Sequence, residues 1–278
     1  MKLGLMFANT LALTRDQVFT QVGAAEAAGY ESLWTVEHVV VPKGYESAYP
    51  YSRSGRMAGD VEDFAIPDPL VWLAFAAAAS STIRLATGVM ILPQRNPVVL
   101  AKEVATLDVL SGGRMLLGVG AGWLEEEFRA IGVPFADRGS RVDEYIGAMR
   151  ALWSQEVASF DGEFVSFKDV YMRPQPVDGT VPIVIGGHTR RAARRAGELG
   201  DGFYPASAAV TELAELVALA REAADRSGRD PNALEITMAA RPDRESVERM
   251  AAAGVDRVVV SAAVGEETLA ALAADVIG

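Results

Sequence analysis

The chain has 278 residues, of which half are hydrophobic and 23% are charged, so it can bury the core of a globular protein. Acidic residues outnumber basic ones by 37 to 26, and the net charge of −11 opposes binding to nucleic acid or to an anionic membrane surface. Cysteine is absent and there are only two histidines, which excludes disulfides and thiolate ligands and disfavours a zinc site. These features predict a small-molecule partner and no metal site.

The sequence contains no run of about 18 uninterrupted apolar residues, the length that a membrane-spanning helix requires. The apolar patch near the N-terminus is shorter than the core of a signal peptide, and the polar segment LTRDQVF follows it in place of a cleavage pattern. We therefore expect a cytoplasmic protein that does not enter a membrane.

Short β-branched runs alternate along the chain with stretches of helical periodicity, which is typical of parallel βα units. The predicted strands are Lys2–Phe7, Ser32–Val36, Ile83–Met90, Arg114–Val119, Pro182–Gly186, Gly202–Tyr204, Leu234–Ala239 and Arg257–Ser261. The predicted helices are Thr14–Ala28, Asp68–Ser80, Pro97–Leu110, Arg138–Leu152, Thr189–Leu199, Thr211–Ser227, Asp243–Ala253 and Glu266–Val276. This eightfold alternation, with no linker dividing it, predicts an α/β protein in which residues 1–278 form a single (β/α)8 TIM barrel. A doubly wound open sheet is the alternative.

Two segments interrupt the alternation. Residues 39–66 follow the second strand and are rich in Tyr, Gly, Pro and Ser, which is typical of a lid and not of one helix. Residues 154–181 follow the fourth helix and contain FDGEFVSF, whose alternation around Asp161-Gly162 predicts a β-hairpin. Long loops in barrels concentrate where ligands bind, so we expect both insertions to set the substrate preference.

The segment GVGAGW places Gly118, Gly120 and Gly122 directly before Trp123. A nicotinamide fingerprint needs a third glycine at the tryptophan position and normally lies in the first βαβ unit, so this motif does not match it. Two interpretations remain: the small residues let a ligand approach the backbone, or they only turn the chain.

The second predicted strand ends near Glu37-His38, at the rim where barrel enzymes place reacting groups. A lone histidine is more often structural, but this position favours a catalytic role in proton transfer. Neighbouring strand residues point to opposite faces, so only one of the two side chains would face the interior. The sequence leaves open which one.

Two further segments are candidate binding sites. Gly186-Gly187-His188-Thr189 joins a strand to a helix, and bare amides at a helix start favour an anionic group such as phosphate. Arg190 or Arg191 is a possible auxiliary there, although most arginines of a basic helix are simply solvated. Gly88-Val89-Met90 ends the third strand, where a glycine marks either a bulge beside a flat ligand or an ordinary core strand.

Together, several segments resemble the luciferase-like monooxygenase superfamily, in particular its flavin- or deazaflavin-dependent oxidoreductase branch. The matching segments are SLWTVEHVVVP, YPYS, IRLATGVMILPQRNPVVLAKEVATLDVLSGGRMLLGVGAGWLEEEF, RGSRVDEYIGAMRALW and PIVIGGHTRRAARRAGELGDGFYP. They cover most of residues 1–205 in order, and they are most similar to members that depend on coenzyme F420, a deazaflavin. The resemblance implies a TIM barrel that holds the cofactor ring at its C-terminal mouth.

The resemblance also implies roles for the candidate residues. A bulge with a non-proline cis peptide would support the ring at Gly88-Val89, followed by Met90. Glu37-His38 would lie near the reactive edge, where relatives often have Asp-His. The implied cofactor contacts from the glycine segments are Gly118, Gly120 and Gly122 for the ring or ribityl chain, and Gly186, Gly187, His188 and Thr189 for the phosphate. Trp123, Tyr49 and Tyr51 would exclude water.

We therefore expect an F420-dependent oxidoreductase that transfers hydride between the deazaflavin and a small organic substrate. A deazaflavin carries hydride only, whereas a flavin also reduces oxygen, so the cofactor decides the reaction class. The alternatives are an FMN-dependent monooxygenase that uses O2 and reduced flavin from a separate reductase, and a noncatalytic barrel that binds a flavin. The resemblance further implies a homodimer.

Overall fold

The computed structural model describes residues 1–52, 54–57, 60–205 and 210–277, and its parallel strands close into a cylinder. The strands are β1 (Lys2–Met6), β2 (Ser32–Thr35), β3 (Arg84–Thr87), β4 (Met90–Ile91), β5 (Met115–Gly120), β6 (Ala158–Asp161), β7 (Ser166–Val170), β8 (Ile183–Gly186), β9 (Gly202–Tyr204), β10 (Glu235–Ala239) and β11 (Arg257–Ser261). The helices are α1 (Ala8–Leu11), α2 (Arg15–Ala27), α3 (Pro69–Ala78), α4 (Pro97–Ser111), α5 (Glu125–Ala130), α6 (Arg138–Ser154), α7 (Arg190–Leu199), α8 (Val210–Arg226), α9 (Arg244–Ala252) and α10 (Glu266–Val276).

The order of strand pairing identifies the architecture. Around the sheet, each strand pairs in parallel with the next in the order β1, β2, β3, β5, β8, β9, β10 and β11. The last of these, β11, pairs in parallel with β1 and closes the cylinder. The predicted (β/α)8 TIM barrel is confirmed. The doubly wound alternative is wrong, because its first and last strands would be free edges.

Local signals in the sequence explain where the outer helices begin and end. Thr14 accepts a hydrogen bond from the Gln17 amide and forms a capping box that starts α2. The Asp68 side chain caps α3 immediately before Pro69. Gly112, with φ 73°, ends α4 in the left-handed conformation that glycine adopts at low cost. The inner faces of these helices pack on the outside of the sheet.

Large aromatic and charged side chains fill the barrel interior. Trp34 is fully buried and packs edge-on against Tyr204 with ring centroids 5.8 Å apart. Arg257, also fully buried, lies 5.7 Å from the Trp34 ring and donates to Glu31 at 2.8 Å and Glu235 at 3.0 Å. The interior is therefore a packed core and not a pore, as expected for this architecture.

The two carboxylates around Arg257 link stability to pH. Burial disfavours their charged forms, but Arg257 holds the pKa of Glu31 below its ordinary value of 4.5, and Lys2 and Arg257 do the same for the pKa of Glu235. A lowered pKa in the folded state contributes stability above the unfolded pKa, and this contribution is lost as the pH falls through the folded value. The cluster therefore stabilises the barrel at neutral pH.

The third predicted strand is interrupted. Ile83–Met90 was expected to be continuous, but β3 ends at Thr87, the Gly88-Val89 peptide is cis, and the short β4 pairs with β5 alone. The interruption turns the Val89 side chain into the barrel, where it packs with the interior residues. The short helices α1 and α5 were not predicted, since four to six residues carry too little periodicity.

The second insertion lies away from the barrel mouth, contrary to expectation. Its hairpin is present, with β6 antiparallel to β7, and Glu144 of α6 accepts the amides of the turn residues Phe164 and Val165 at 2.7 Å. The segment then reaches Asp108, near the C-terminus of α4, which accepts the Val177 amide at 2.9 Å. It packs on the outside of α6 and at the N-terminal end of the barrel because it follows a helix and not a strand.

In the portion of the chain that is described, every helix is too short or too polar to cross a lipid bilayer.

Removing the buried cation tests the interior cluster. Arg257→Met should lower the free energy of unfolding by about 3 kcal/mol or more, because Glu31 and Glu235 then lose their buried partner. Urea denaturation measures the change. Arg226→Met is the matched control: it removes an exposed pair with Glu222 one helical turn away and should cost less than about 0.5 kcal/mol. Equal losses in both variants would contradict this role of the cluster.

Candidate active site

The first insertion covers the C-terminal mouth of the barrel with aromatic rings; its positions 53, 58 and 59 lie outside the described residues. The rings form a continuous series of edge-on contacts from the end of β2 to the start of α7. Centroid distances are 5.7 Å for His38–Trp123, 5.1 Å for Trp123–Tyr49, 5.3 Å for Tyr49–Tyr51 and 5.2 Å for Tyr51–His188. The expected lid residues Tyr49, Tyr51 and Trp123 are thus brought together with both histidines.

His38 is held by a carboxylate that comes from another part of the chain. Its Nδ1 lies 2.9 Å from Oε2 of Glu127, a residue of α5 that is fully buried. Oε1 of Glu127 accepts the backbone amides of Val39 at 2.6 Å and Val40 at 3.3 Å. Nε2 of His38 has no hydrogen-bond partner among the described residues, so this nitrogen is free to act on a ligand.

Glu37 is directed elsewhere. Its Oε2 accepts the Ile91 amide at 2.6 Å, and its Oε1 accepts from the Arg95 guanidinium, which also donates to Asp68 at 2.7 Å. Burial raises the pKa of the Glu37 carboxyl, while Arg95 and the Ile91 amide act in the opposite direction. Both oxygens are engaged with protein donors, so Glu37 ties β2 to the segment after β4, and His38 is the residue that faces the lid.

The glycines of the GVGAGW segment make room for protein atoms. A Cβ on Gly118 would lie 1.8 Å from the Thr87 carbonyl oxygen, and one on Gly120 would lie 2.8 Å from Cγ2 of Val89. A Cβ on Gly186, from the neighbouring strand β8, would lie 2.5 Å from Cγ1 of Val89. Gly120 and Gly186 thus leave room for the Val89 side chain, which forms the floor of the mouth, and Gly118 leaves room for the Thr87 carbonyl.

The start of α7 forms the wall opposite His38. Gly187 has φ 129°, a conformation that glycine adopts without strain, and its amide donates to the Tyr204 carbonyl at 3.0 Å. Thr189 caps the helix by accepting the Ala192 amide at 3.1 Å. The chain is thereby fixed so that the first helical amides point out of the helix at the mouth.

Several polar groups at this helix start have no protein partner. The amides of Thr189, Arg190 and Arg191 find no acceptor among the described residues, and Nδ1 of His188 is buried without a hydrogen-bond partner. Buried polar atoms in folded proteins are normally paired, so these groups mark a position where a ligand acceptor fits.

The lid is fastened to α5 by a second carboxylate. Oε1 of Glu126 accepts the amides of Glu46 at 2.7 Å and Ser47 at 3.0 Å. Burial acts against the charged form, yet the hydrogen bonds from the Ser47 side chain and these amides lower the pKa of Glu126 to about 2. The first part of the lid therefore has a defined position over the mouth at neutral pH.

The lid hydroxyls remain protonated. Burial, with smaller contributions from Tyr51 and Tyr45, raises the pKa of Tyr49 to about 12, and burial also raises the pKa of Tyr51. Burial likewise raises the pKa of Tyr204, whose hydroxyl contacts the Met6 sulfur. These phenols can donate hydrogen bonds at the mouth but do not serve as bases there.

Some candidate residues lie outside the mouth. Met90 is fully buried between the sheet and the helices. Gly122, with φ 83°, accommodates Ile91 and Phe128, which a Cβ would meet at 2.7 Å. The Arg191 side chain lies 3.8 Å from Asp143, which it neutralises. Met90 and Gly122 support the site without lining it, whereas Arg191 pairs its side chain with Asp143 and leaves its backbone amide at the start of α7.

The sequence pattern did not lead us to Glu127 or to the packing role of Val89. A signal for Glu127 exists: Leu124, Glu127 and Phe128 are spaced as one buried face of a helix, so the third of the three consecutive glutamates must point inward. The packing of Val89 carries no such signal, because it depends on residues from three strands.

Comparison with known proteins places the chain in a family. The family model described as luciferase-like monooxygenase matches residues 2–277. The chain belongs to the luciferase-like monooxygenase family. An uncharacterized protein of Mycobacterium tuberculosis is 34% identical over 250 residues, which is 88% of each chain.

Two relatives with assigned activities use different cofactors. The F420-dependent glucose-6-phosphate dehydrogenase of Kineococcus radiotolerans is 32% identical over 77% of this chain and 60% of that protein. The FMNH2-dependent dimethylsulfone monooxygenase of Pseudomonas putida is 36% identical over 46% of this chain and 37% of that protein. The predicted family is therefore confirmed, and its members are F420- or FMN-dependent oxidoreductases and monooxygenases.

Solved structures confirm the fold of this luciferase-like chain. The F420-dependent tetrahydromethanopterin reductase of Methanopyrus kandleri superposes with a TM-score of 0.79 at 16% identity, over 99% of this chain and 98% of that one. The monooxygenase RslO1 of Streptomyces bottropensis gives 0.77 at 22% identity, over 99% and 97%. Such low identities establish the barrel alone.

Among the described residues, no three His, Asp or Glu side chains are grouped to hold a metal ion.

A rescue experiment tests the floor of the mouth. Gly120→Ala should destabilise the protein by about 1–3 kcal/mol because the new methyl group overlaps Cγ2 of Val89, and Val89→Ala in the same chain should remove most of that coupling. Gly118→Ala is the control, since its methyl group would meet the Thr87 carbonyl, which Val89→Ala does not move away. Thermal denaturation of the three single variants and the two double variants, against wild type, measures both cycles. Equal rescue at positions 118 and 120 would show that Val89 does not fill this space.

Proposed function

We propose that this chain is a coenzyme F420-dependent oxidoreductase that transfers hydride between the deazaflavin and a small organic substrate. The observation that carries the proposal is the position of His38, with one nitrogen bonded to Glu127 and the other free beside the aromatic lid. The F420-dependent relative also matches a larger share of this chain, 77%, than the FMNH2-dependent relative, which matches 46%. The matched share favours the deazaflavin over the flavin, and the His38 geometry supports proton transfer with either cofactor.

The residues at the mouth fit a phosphate-bearing ring cofactor. The buried and unpartnered Nδ1 of His188, with the free amides of Thr189, Arg190 and Arg191, suits a phosphate. Val89 is only partly buried and presents an apolar surface on which a flat ring can lie. Trp123, Tyr49 and Tyr51 would cover such a ring and keep water from it.

When bound, the cofactor supplies hydride donation or acceptance at a single ring carbon. His38 moves the accompanying proton: its Nε2 accepts a proton from an alcohol in one direction and returns it to a carbonyl oxygen in the other. Glu37 keeps Arg95 and Ile91 in place and takes no part in proton transfer, because neither of its oxygens is free. The lid hydroxyls orient the substrate as neutral donors.

Cofactor titration tests the proposal directly. Under anaerobic conditions, F420 should quench the fluorescence of the protein with a dissociation constant in the micromolar range or lower, as is ordinary for cofactors, and FMN should bind more weakly. Addition of primary and secondary alcohols to the F420 complex should then bleach the oxidised deazaflavin.

Tight FMN binding without a response to F420 would instead favour the monooxygenase that uses O2 and a separate reductase. Binding of either cofactor with no turnover across alcohols and ketones would favour a noncatalytic flavin-binding barrel.

The two histidines should separate catalysis from cofactor binding. His38→Asn should lower kcat by about 10²- to 10⁴-fold, the usual contribution of a general acid–base, while the dissociation constant for F420 changes little. His188→Asn should weaken F420 binding instead, because Nδ1 of His188 lies at the proposed phosphate position. Turnover and fluorescence titration of both variants provide the comparison. Loss of cofactor affinity in the His38 variant would assign the imidazole to binding.

We also propose a second copy of this chain as a partner. The outward face of α3 is apolar, with Val71, Ala74, Phe75 and Ala78 exposed, and the resemblance implies dimerisation through barrel helices. The purified chain should therefore sediment as a dimer, and Phe75→Glu should yield monomer. A wild-type chain that sediments as a monomer at micromolar concentration would contradict this.

A further inference from the structure

Glu127 makes three hydrogen-bond contacts through its carboxylate oxygens. Its two oxygens receive the Val39 amide, the Val40 amide and Nδ1 of His38, and its side chain is completely buried. The two amides both lie on Oε1, which leaves Oε2 for the imidazole alone. The carboxylate therefore connects the ring of His38 with the first two backbone groups of the lid.

The direction of the hydrogen bond to His38 follows from these contacts. A carboxylate has lone pairs and no proton to give, so the imidazole must donate through Nδ1–H. The neutral ring then carries its lone pair on Nε2, the nitrogen without a protein partner. Trp123 also contacts the His38 ring in a T-shaped arrangement, with the ring centroids 5.7 Å apart.

We propose that Glu127 is a positioning residue that fixes the Nδ1–H tautomer of His38 and joins this imidazole to the root of the lid. The inference deepens the proposed function, since it supplies the reason why Nε2 is the atom that accepts and returns the proton. Glu127 touches neither substrate nor cofactor and acts through His38, in the manner of the carboxylate that orients a catalytic imidazole in hydrolase triads.

Substitution by glutamine reverses the expected tautomer. In Glu127→Gln, the amides of Val39 and Val40 still donate to the side-chain oxygen, so this oxygen keeps its position. The NH2 group must then face Nδ1 of His38, and a donor there requires a lone pair on that nitrogen. The proton of the neutral ring accordingly moves to Nε2. A purely structural role for Glu127 would not produce this exchange.

Nitrogen NMR of the cofactor-free protein measures the tautomer. The chain has only two histidines, and His188→Asn leaves His38 as the single imidazole. At alkaline pH, where the ring is neutral, the wild-type background should show Nδ1 protonated and Nε2 unprotonated. The Glu127→Gln variant should show the opposite assignment.

A neighbouring glutamate provides the matched control. Glu126→Gln removes a charge from the same helix, and Glu126 contacts the lid at Glu46 and Ser47 without touching His38. It should leave the Nδ1–H tautomer unchanged. Inversion in the Glu126 variant as well would show that lid displacement, and not Glu127, sets the tautomer, and would overturn the proposal.

The wild-type measurement decides the question even if Glu127→Gln does not fold. A proton on Nε2 in the wild-type background, or Nδ1–H retained in a folded Glu127→Gln variant, would overturn the proposal. Because no cofactor or substrate is present, the result is independent of the F420 titration. A failed titration with the expected tautomers would reject the proposed function alone.

Discussion

The Val89 side chain and the Thr87 carbonyl occupy the space that three glycines leave open at the top of the barrel. Gly118, Gly120 and Gly186 belong to two adjacent strands, and a Cβ at any of them would overlap Val89 or the Thr87 carbonyl. Close packing of this kind tolerates no added methyl group without displacement of the backbone. The mouth therefore has a floor made of protein atoms.

The remaining features of the site are arranged around this floor. Glu37 and His38 follow β2 and have separate roles: Glu37 accepts from Arg95 and from the Ile91 amide of β4, and His38 faces the lid. Two of the three consecutive glutamates after β5 fasten the lid: Glu126 accepts the amides of Glu46 and Ser47, and Glu127 accepts the amides at its root.

The barrel, and most of the residues at its C-terminal rim, could be predicted from the sequence. Eight periodic strands separated by helices leave few alternatives, and charged or aromatic residues at strand ends indicate the functional face. The interruption at Gly88-Val89 was expected from the resemblance alone, since the strand periodicity of Ile83–Met90 runs straight through it. The contact of Gly120 and Gly186 with Val89 could not be predicted, because the sequence does not reveal which side chain lies beside them.

The wrong expectation for the second insertion and the failure to identify Glu127 have the same cause. Residues 154–181 follow a helix that descends to the other end of the barrel, and Glu127 lies 89 positions from the histidine that it orients. Both facts depend on long-range packing, which local patterns do not encode. Glu37 and His38 could not be separated for the same reason, because the partners that distinguish them, Arg95 and Glu127, come from other βα units.

A crystal structure of the protein with oxidised F420 would test the central claim most directly. We expect the deazaflavin ring to lie on Val89 under Trp123, with Nε2 of His38 at its reactive edge and the phosphate bound by the free amides at the start of α7. A ring bound outside the mouth, or a phosphate remote from Thr189, would contradict the claim that these strand ends form one redox site.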